Sequence, residues 1–205
     1  MKTITDIKSQ VKNKKRVSVY LDGVYYCGLD LLTVMKNRLK VGMEIDEQTL
    51  VEIQKSSEIS ACFDSAINYL SKSVKTEKEL TCKLLKKGYL QEVIDEVIVK
   101  LKEYKYIDDK DYAERYVSTY KQRKGKRLLK IELLKKGVSL LDSEGALNDI
   151  ESESETALSL AEKYVKNKEK DAKTLQKCYK YLLSKGFSYE DSLNASKKVI
   201  NIEED

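Results

Sequence analysis

Nothing in this sequence is spaced for group-transfer chemistry at neutral pH. Histidine is absent, and the four cysteines, Cys27, Cys62, Cys82 and Cys178, form no Cys-x-x-Cys pair. The common zinc, haem and catalytic-triad arrangements are therefore excluded together. Without histidine no side chain has an unperturbed pKa between about pH 5 and 8, so an acid–base enzyme would need a strongly shifted carboxyl, amine or thiol. The paired carboxylates Asp108 and Asp109 stand where a helix begins, and capping accounts for them. Lys124-Gly125-Lys126-Arg127 is not a phosphate loop, because no Ser or Thr follows the Gly-Lys and residue 120 is Tyr rather than Gly. The expectation is a protein that is not an enzyme and holds no cofactor and no metal.

What the sequence does offer is segregated charge. Between residues 119 and 137 stand Lys121, Arg123, Lys124, Lys126, Arg127, Lys130, Lys135 and Lys136, opposed only by Glu132, a local charge of +7 in a chain whose net charge is +5. Residues 142–155 carry six acids and no base. The eight cations are the candidate partner-binding residues, able to reach a phosphate backbone or an acidic protein groove. Tyr104, Tyr106, Tyr112, Tyr116 and Tyr120 adjoin them and could stack on bases. The four-residue spacing of Tyr112, Tyr116 and Tyr120 favours packing in a core, hydroxyls at its rim. Cys62 and Cys82, set among Phe63, Ile67, Leu80 and Leu84, are expected to be small core residues.

The elements that must position these residues are mainly helical. Proline is absent and glycine occurs eight times in 205 residues, so helices joined by short turns are expected beyond the first 30 residues or so. Residues 16–29, RVSVYLDGVYYCGL, place β-branched and aromatic residues on both sides of Asp22-Gly23, the signature of a type I′ hairpin. A third strand over residues 4–11 is less regular, with Ile4 and Ile7 out of alternation, and enters through the basic turn Lys12-Asn13-Lys14-Lys15. Asp30 is expected to cap a helix to about residue 40, and Asp46 a short helix containing Leu50 and Ile53. This strand-bearing unit is expected to end near residue 57, either as a cover for the apolar end of the helical units or as an accessory binding module.

One phrase recurs through the rest. Leu84-Leu85-Lys86-Lys87-Gly88 returns as Leu133-Leu134-Lys135-Lys136-Gly137 and as Leu182-Leu183-Ser184-Lys185-Gly186, at two steps of 49 residues. Behind each glycine comes the same stripe: Val97, Ile98 and Leu101; Ala146, Leu147 and Ile150; Ala195, Ser196 and Val199. A period of this size indicates tandem units of three short helices. Each glycine stands where a left-handed residue would close a helix. Thr76-Glu77-Lys78-Glu79 reads as a capping box and Asp171 as the matching cap of the last copy. The expected fold is mainly α: three tandem three-helix repeats over residues 58–109, 110–152 and 153–205, in an elongated curved array, behind a small β-hairpin-containing unit over residues 1–57. No apolar run approaches the ~18–20 residues that cross a bilayer, and the opening residues lack the apolar stretch of a signal peptide. A soluble, cytoplasmic monomer without a membrane partner is expected.

The repeated Leu-Leu-x-Lys-Gly phrase, the Tyr106-Ile107-Asp108-Asp109 segment followed by Tyr112-Ala113, and the three tandem units resemble the RecX family of bacterial recombination regulators. The resemblance covers about residues 60–200. The N-terminal unit is similar to the extension of members from Gram-positive bacteria, and the third copy is the most divergent, with Ser184 and Ser196. The resemblance implies a partner: the RecA filament on DNA, bound along its helical groove across more than one subunit. It also implies restraint of RecA's ATPase, strand-exchange and coprotease activities by a non-enzymatic regulator. No family motif assigns the eight cations individually. The rival reading is a direct or architectural DNA-binding protein that uses the same patch on single- or double-stranded DNA.

Overall fold

The structure, a computed structural model, describes residues 1–11 and 13–200. Lys12 of the basic turn and residues 201–205 of the expected third repeat lie outside the described residues. Two compact units emerge, one of Met1–Val74 with Leu80–Ile107, the other of Lys75–Glu79 with Asp108–Asp205.

The first unit opens with a four-stranded antiparallel sheet in the order β3-β2-β1-β4, formed by β1 (Lys2–Ser9), β2 (Arg16–Leu21), β3 (Val24–Asp30) and β4 (Glu44–Ile45). The β2–β3 turn is the expected one, with Asp22 at φ 49° and Gly23 at φ 83°, the positive pair a type I′ turn needs. Ile4 and Ile7 fall out of alternation because the β1–β2 register shifts between Ile4 and Asp6, a bulge that adds a residue without turning the buried face outward. Helix α1 (Leu31–Lys36) is shorter than expected and stops before Arg38, which adopts φ 52°. Ile4, Val19, Leu29, Val34, Leu50 and Ile53 share the core beneath the sheet.

The helix opened by Asp46 departs from expectation: α2 (Glu47–Leu70) runs 24 residues without a break. Residues 47–70 contain no glycine or proline, and the serines that read as a boundary sit inside the helix. Ser57 is buried, its Oγ accepting the Asp30 N–H at 2.8 Å. Leu50 and Ile53 serve the sheet core, whereas Cys62 and Ala66 serve a second core with Leu80, Leu84, Ile94, Val97, Ile98 and Leu101. That core is closed by α3 (Glu77–Leu85) and α4 (Gln91–Glu103). One helix thus belongs both to the strand-bearing part and to the first three-helix set.

The second unit holds two further three-helix sets: α5 (Asp109–Tyr120), α6 (Lys126–Lys136) and α7 (Leu140–Leu147), then α8 (Ser154–Val165), α9 (Ala172–Ser184) and α10 (Tyr189–Ile200). The expected caps are present. Thr76 and Glu79 form a reciprocal capping box at 3.2 and 3.3 Å, Asp108 accepts the Asp111 N–H at 3.0 Å, and Asp171 that of Thr174 at 2.7 Å. The architecture is therefore mainly α, three three-helix sets with a small strand-bearing unit at the N-terminus.

The 49-residue period has a physical counterpart. The phrase glycines Gly88, Gly137 and Gly186 adopt φ +89°, +95° and +90°, open to glycine at little cost. A Cβ on Gly88 would meet nothing within 4 Å, but one on Gly137 would strike the Lys78 side chain, and one on Gly186 would strike Leu128. Residues 76 and 125 are one period apart, as are 136 and 185. The Thr76 hydroxyl donates to the Lys136 carbonyl at 2.6 Å, and the Gly125 N–H to the Lys185 carbonyl at 2.9 Å. Each joint seats the turn of one copy on the helix start of the preceding copy, and a side chain on either glycine would hold it open.

Candidate interaction surface

The basic window spans the end of α5, the turn after it and the whole of α6. Lys121 caps α5 with Arg123 two residues on, and both side chains are exposed. Neither makes an ion pair or ring contact among the described residues.

Lys124 and Lys136 behave otherwise, and the reason lies in the tyrosines. Tyr112, Tyr116 and Tyr120 are half-buried against the core of Ala113, Val117, Leu129, Leu133 and Val138, as their spacing predicted. Their rings succeed one another at 6.0 and 4.6 Å, leaving electron-rich faces for cations. Lys124 Nζ lies 4.4 Å from the Tyr120 centroid and 2.6 and 2.7 Å from the Glu132 carboxylate oxygens. The Tyr116 hydroxyl donates to the same carboxylate at 2.9 Å. Lys136 Nζ lies 5.6 and 5.7 Å from the Tyr112 and Tyr116 rings and 2.9 Å from Glu79.

Both pairs are less than a third exposed, and titration reflects it. Burial is the largest influence on Lys124 and Glu132 and opposes their charges. The hydrogen bonds with each other and with Tyr116 outweigh it, raising the Lys124 pKa and lowering that of Glu132. The Glu79 hydrogen bond raises Lys136 well above the ordinary lysine value. Glu79 itself, pushed up by burial, is held below its ordinary value by Lys136 and the Thr76 N–H. These two lysines are neutralised inside the fold.

The remaining cations frame a groove of about 470 Å³ between α6 and α7. Lys126, Arg127 and Lys130 form its rim, and Leu141, Gly145 and Leu147 line it with Glu144 and Asn148. Lys126 is half-buried at the start of α6, where Gly125 offers no capping side chain; the Glu153 carboxylate accepts its N–H instead, at 2.5 Å. Burial raises the Glu153 pKa, and this hydrogen bond opposes the rise. Arg127 is exposed with its guanidinium carbon 5.3 Å from the Tyr189 ring centroid. Lys130 pairs with Glu144 at 2.6 Å. Lys135 is exposed near the end of α6.

The surface also carries apolar side chains that charge counting missed. Ile131 is 48% and Leu134 39% exposed on α6, and Leu141 is 80% exposed on α7. A signal for Leu141 existed: the buried stripe of α7 uses residues 143, 146 and 147, so a leucine pair ahead of it has no core to enter. Of the thiols, Cys27 and Cys62 are buried and raised by burial to about 11, and burial also raises Cys178. Cys82 is exposed, not a core residue as expected: α3 buries Leu80 and Leu84, and Cys82 falls off that stripe. Among the described residues no cluster of three or more metal-ligating side chains occurs, and no helix is long and apolar enough to cross a membrane.

Comparison with known proteins places these features in a family. Residues 2–46 match the regulatory protein RecX N-terminal domain, and residues 62–101, 108–147 and 151–193 match the first, second and third RecX three-helix domains. The regulatory protein RecX of Clostridium botulinum (strain Alaska E43 / Type E3) is 36% identical over 209 residues, covering 99% of each chain. That of Clostridium perfringens (strain 13 / Type A) is 37% identical over 210 residues, again covering 99% of each. A crystal structure of regulatory protein RecX superposes with a TM-score of 0.69 at 28% identity, covering 99% of this chain and 100% of the other. The crystal structure of RecX from Lactobacillus salivarius gives a TM-score of 0.64 at 33% identity, over 72% of this chain and 99% of the other.

Proposed function

This chain belongs to the RecX family of regulatory proteins, and from that premise we propose that it regulates the RecA recombinase by binding along the groove of the RecA–DNA filament. Bound there, it restrains ATPase, strand-exchange and coprotease activity without catalysing a reaction of its own. The observation that carries this reading is the mixed character of the basic surface. Lys121, Arg123, Lys126, Arg127 and Lys135 have no carboxylate partner within hydrogen-bonding reach of their side chains among the described residues. Beside them stand exposed Ile131, Leu134 and Leu141. Cations alone suit phosphates; cations interleaved with exposed aliphatic side chains suit a protein surface that is acidic and partly apolar. Several such contacts spread over the three-helix sets would act together, so that affinity comes from their number rather than from any one.

A second reading, direct DNA binding, draws on Lys121 and Arg123, two neighbouring unpaired cations at a turn. Measuring binding to RecA without DNA, and to DNA without RecA, separates the two. Substantial affinity for RecA alone, accompanied by slowed ATP hydrolysis on preformed filaments, is the expected result. Binding to DNA alone with none to RecA would overturn the proposal.

A further inference from the structure

Resting on the RecA reading and deepening it, we infer that the groove between α6 and α7 receives an acidic peptide segment of the protein partner. One aliphatic side chain of the segment sits on Leu141, Gly145 and Leu147, and its carboxylates meet Lys126 and Arg127. The charge of the rim selects the segment. Lys130 is matched by Glu144 at 2.6 Å, the one acid lining the groove. This leaves Arg127 without a carboxylate partner and Lys126 with only the longer-range attraction of Glu153, whose carboxylate is engaged by the Lys126 N–H. The Arg127 guanidinium carbon lies 5.3 Å from the Tyr189 ring centroid and its N–H groups meet no carboxylate among the described residues, so they can take a bidentate carboxylate.

The lining of the groove selects against nucleic acid. No aromatic side chain lines it, so a base would find no stacking platform, and a phosphodiester gains nothing from Leu141, which is 80% exposed. An aliphatic anchor does gain. Gly145 provides the space: a Cβ built there meets nothing within 4 Å, although the residue lies within α7 at an ordinary helical φ.

The test uses the full chain and three labelled probes: an octapeptide of glutamate and aspartate with one central leucine, the same peptide with alanine for leucine, and octathymidylate. Fluorescence anisotropy should show the leucine peptide binding about 10-fold more tightly than the alanine peptide, the effect of burying one leucine side chain. Gly145→Leu, which fills the groove without altering any charge, should abolish that preference and leave octathymidylate binding unchanged. Leu141→Ala, at a site too exposed to affect folding, should reduce the preference in a protein of unaltered stability. Equal binding of the two peptides, or a preference that survives both substitutions, overturns the groove assignment. Co-sedimentation of the wild-type protein with RecA filaments keeps the two failures apart. Filament binding without a leucine preference removes the groove alone, whereas a leucine preference without filament binding removes the RecA reading.

Discussion

Lys135 and Lys136 are neighbours of identical chemistry within the repeated phrase, yet opposite consequences are expected from replacing each by methionine. Lys136→Met removes a charge-assisted hydrogen bond to Glu79 and two ring contacts. The first is worth about 1.5–3 kcal/mol and each ring contact about 0.5–1 kcal/mol. Methionine keeps much of the aliphatic packing, and the pair's residual exposure trims the electrostatic part. The expected net loss is about 2 kcal/mol, and a urea slope of about 1–3 kcal/mol per molar converts this to a midpoint lower by about 1 M. Lys135→Met, at an exposed position, should change stability by less than about 0.5 kcal/mol while weakening association with RecA filaments. Because the chain forms two compact units, amide hydrogen exchange should accompany urea unfolding, and in Lys136→Met the accelerated amides should lie in α5, α6 and residues 75–79. A double-mutant cycle with Glu79→Gln should give a coupling of about 1–2 kcal/mol. Coupling below about 0.3 kcal/mol, or equal losses at 135 and 136, would refute the assignment of one lysine to the fold and the other to the surface.

Other consequences can be checked independently. Gly88→Ala should cost about 1–2 kcal/mol, the left-handed conformation alone, whereas Gly186→Ala should cost more than about 3 kcal/mol because its methyl also strikes Leu128; equal losses in chemical unfolding would show that the joint is not sterically closed. Glu79 and Glu132 are held below the ordinary 4.5 in the folded chain, so their stabilisation is present above about pH 4.5 and lost as pH falls through their folded values. Lys124 and Lys136 are raised above 10.5, so theirs is present below about pH 10.5 and lost as pH rises through their folded values. The contribution of these two ion pairs should therefore be constant between these limits, while the buried thiols Cys27, Cys62 and Cys178, held above the ordinary 9.0, should lower the unfolding free energy as pH rises past that value; Glu132→Gln should flatten the acid limb, and an unchanged acid limb would contradict the pairing. A thiol reagent at pH 8 should label Cys82 within minutes and Cys27, Cys62 and Cys178 only on unfolding, and simultaneous labelling of all four would oppose the burial described.

Local signals carried most of the fold. The Asp-Gly turn, the capping box at Thr76 and the caps at Asp30, Asp46, Asp108 and Asp171 are short-range chemistry and could be read one segment at a time. The length of α2 could not, because Ser57 resembles a boundary until its hydroxyl meets Asp30, 27 residues away. The same limit governed the candidate surface. A window of eight cations looks uniform along the chain, and the carboxylate that claims Lys136 lies 57 residues before it. Composition located the patch; it did not separate lysines that contact tyrosine faces from those left to solvent. The groove had a local trace in the surplus leucine at 141, but its depth depends on Gly145 and on α6, which only packing brings together.

The joints at 76/136 and 125/185 are closed by carbonyl oxygens and by glycines with no side chain to interpose, with a hydroxyl as donor in one and a main-chain amide in the other. A seam made of main-chain atoms, as at 125/185, is indifferent to which side chains decorate the helices around it. The outward faces of the second and third copies are then at liberty to drift in sequence and adapt to a changing partner, while the step between those two copies is kept like one graduation of a ruler.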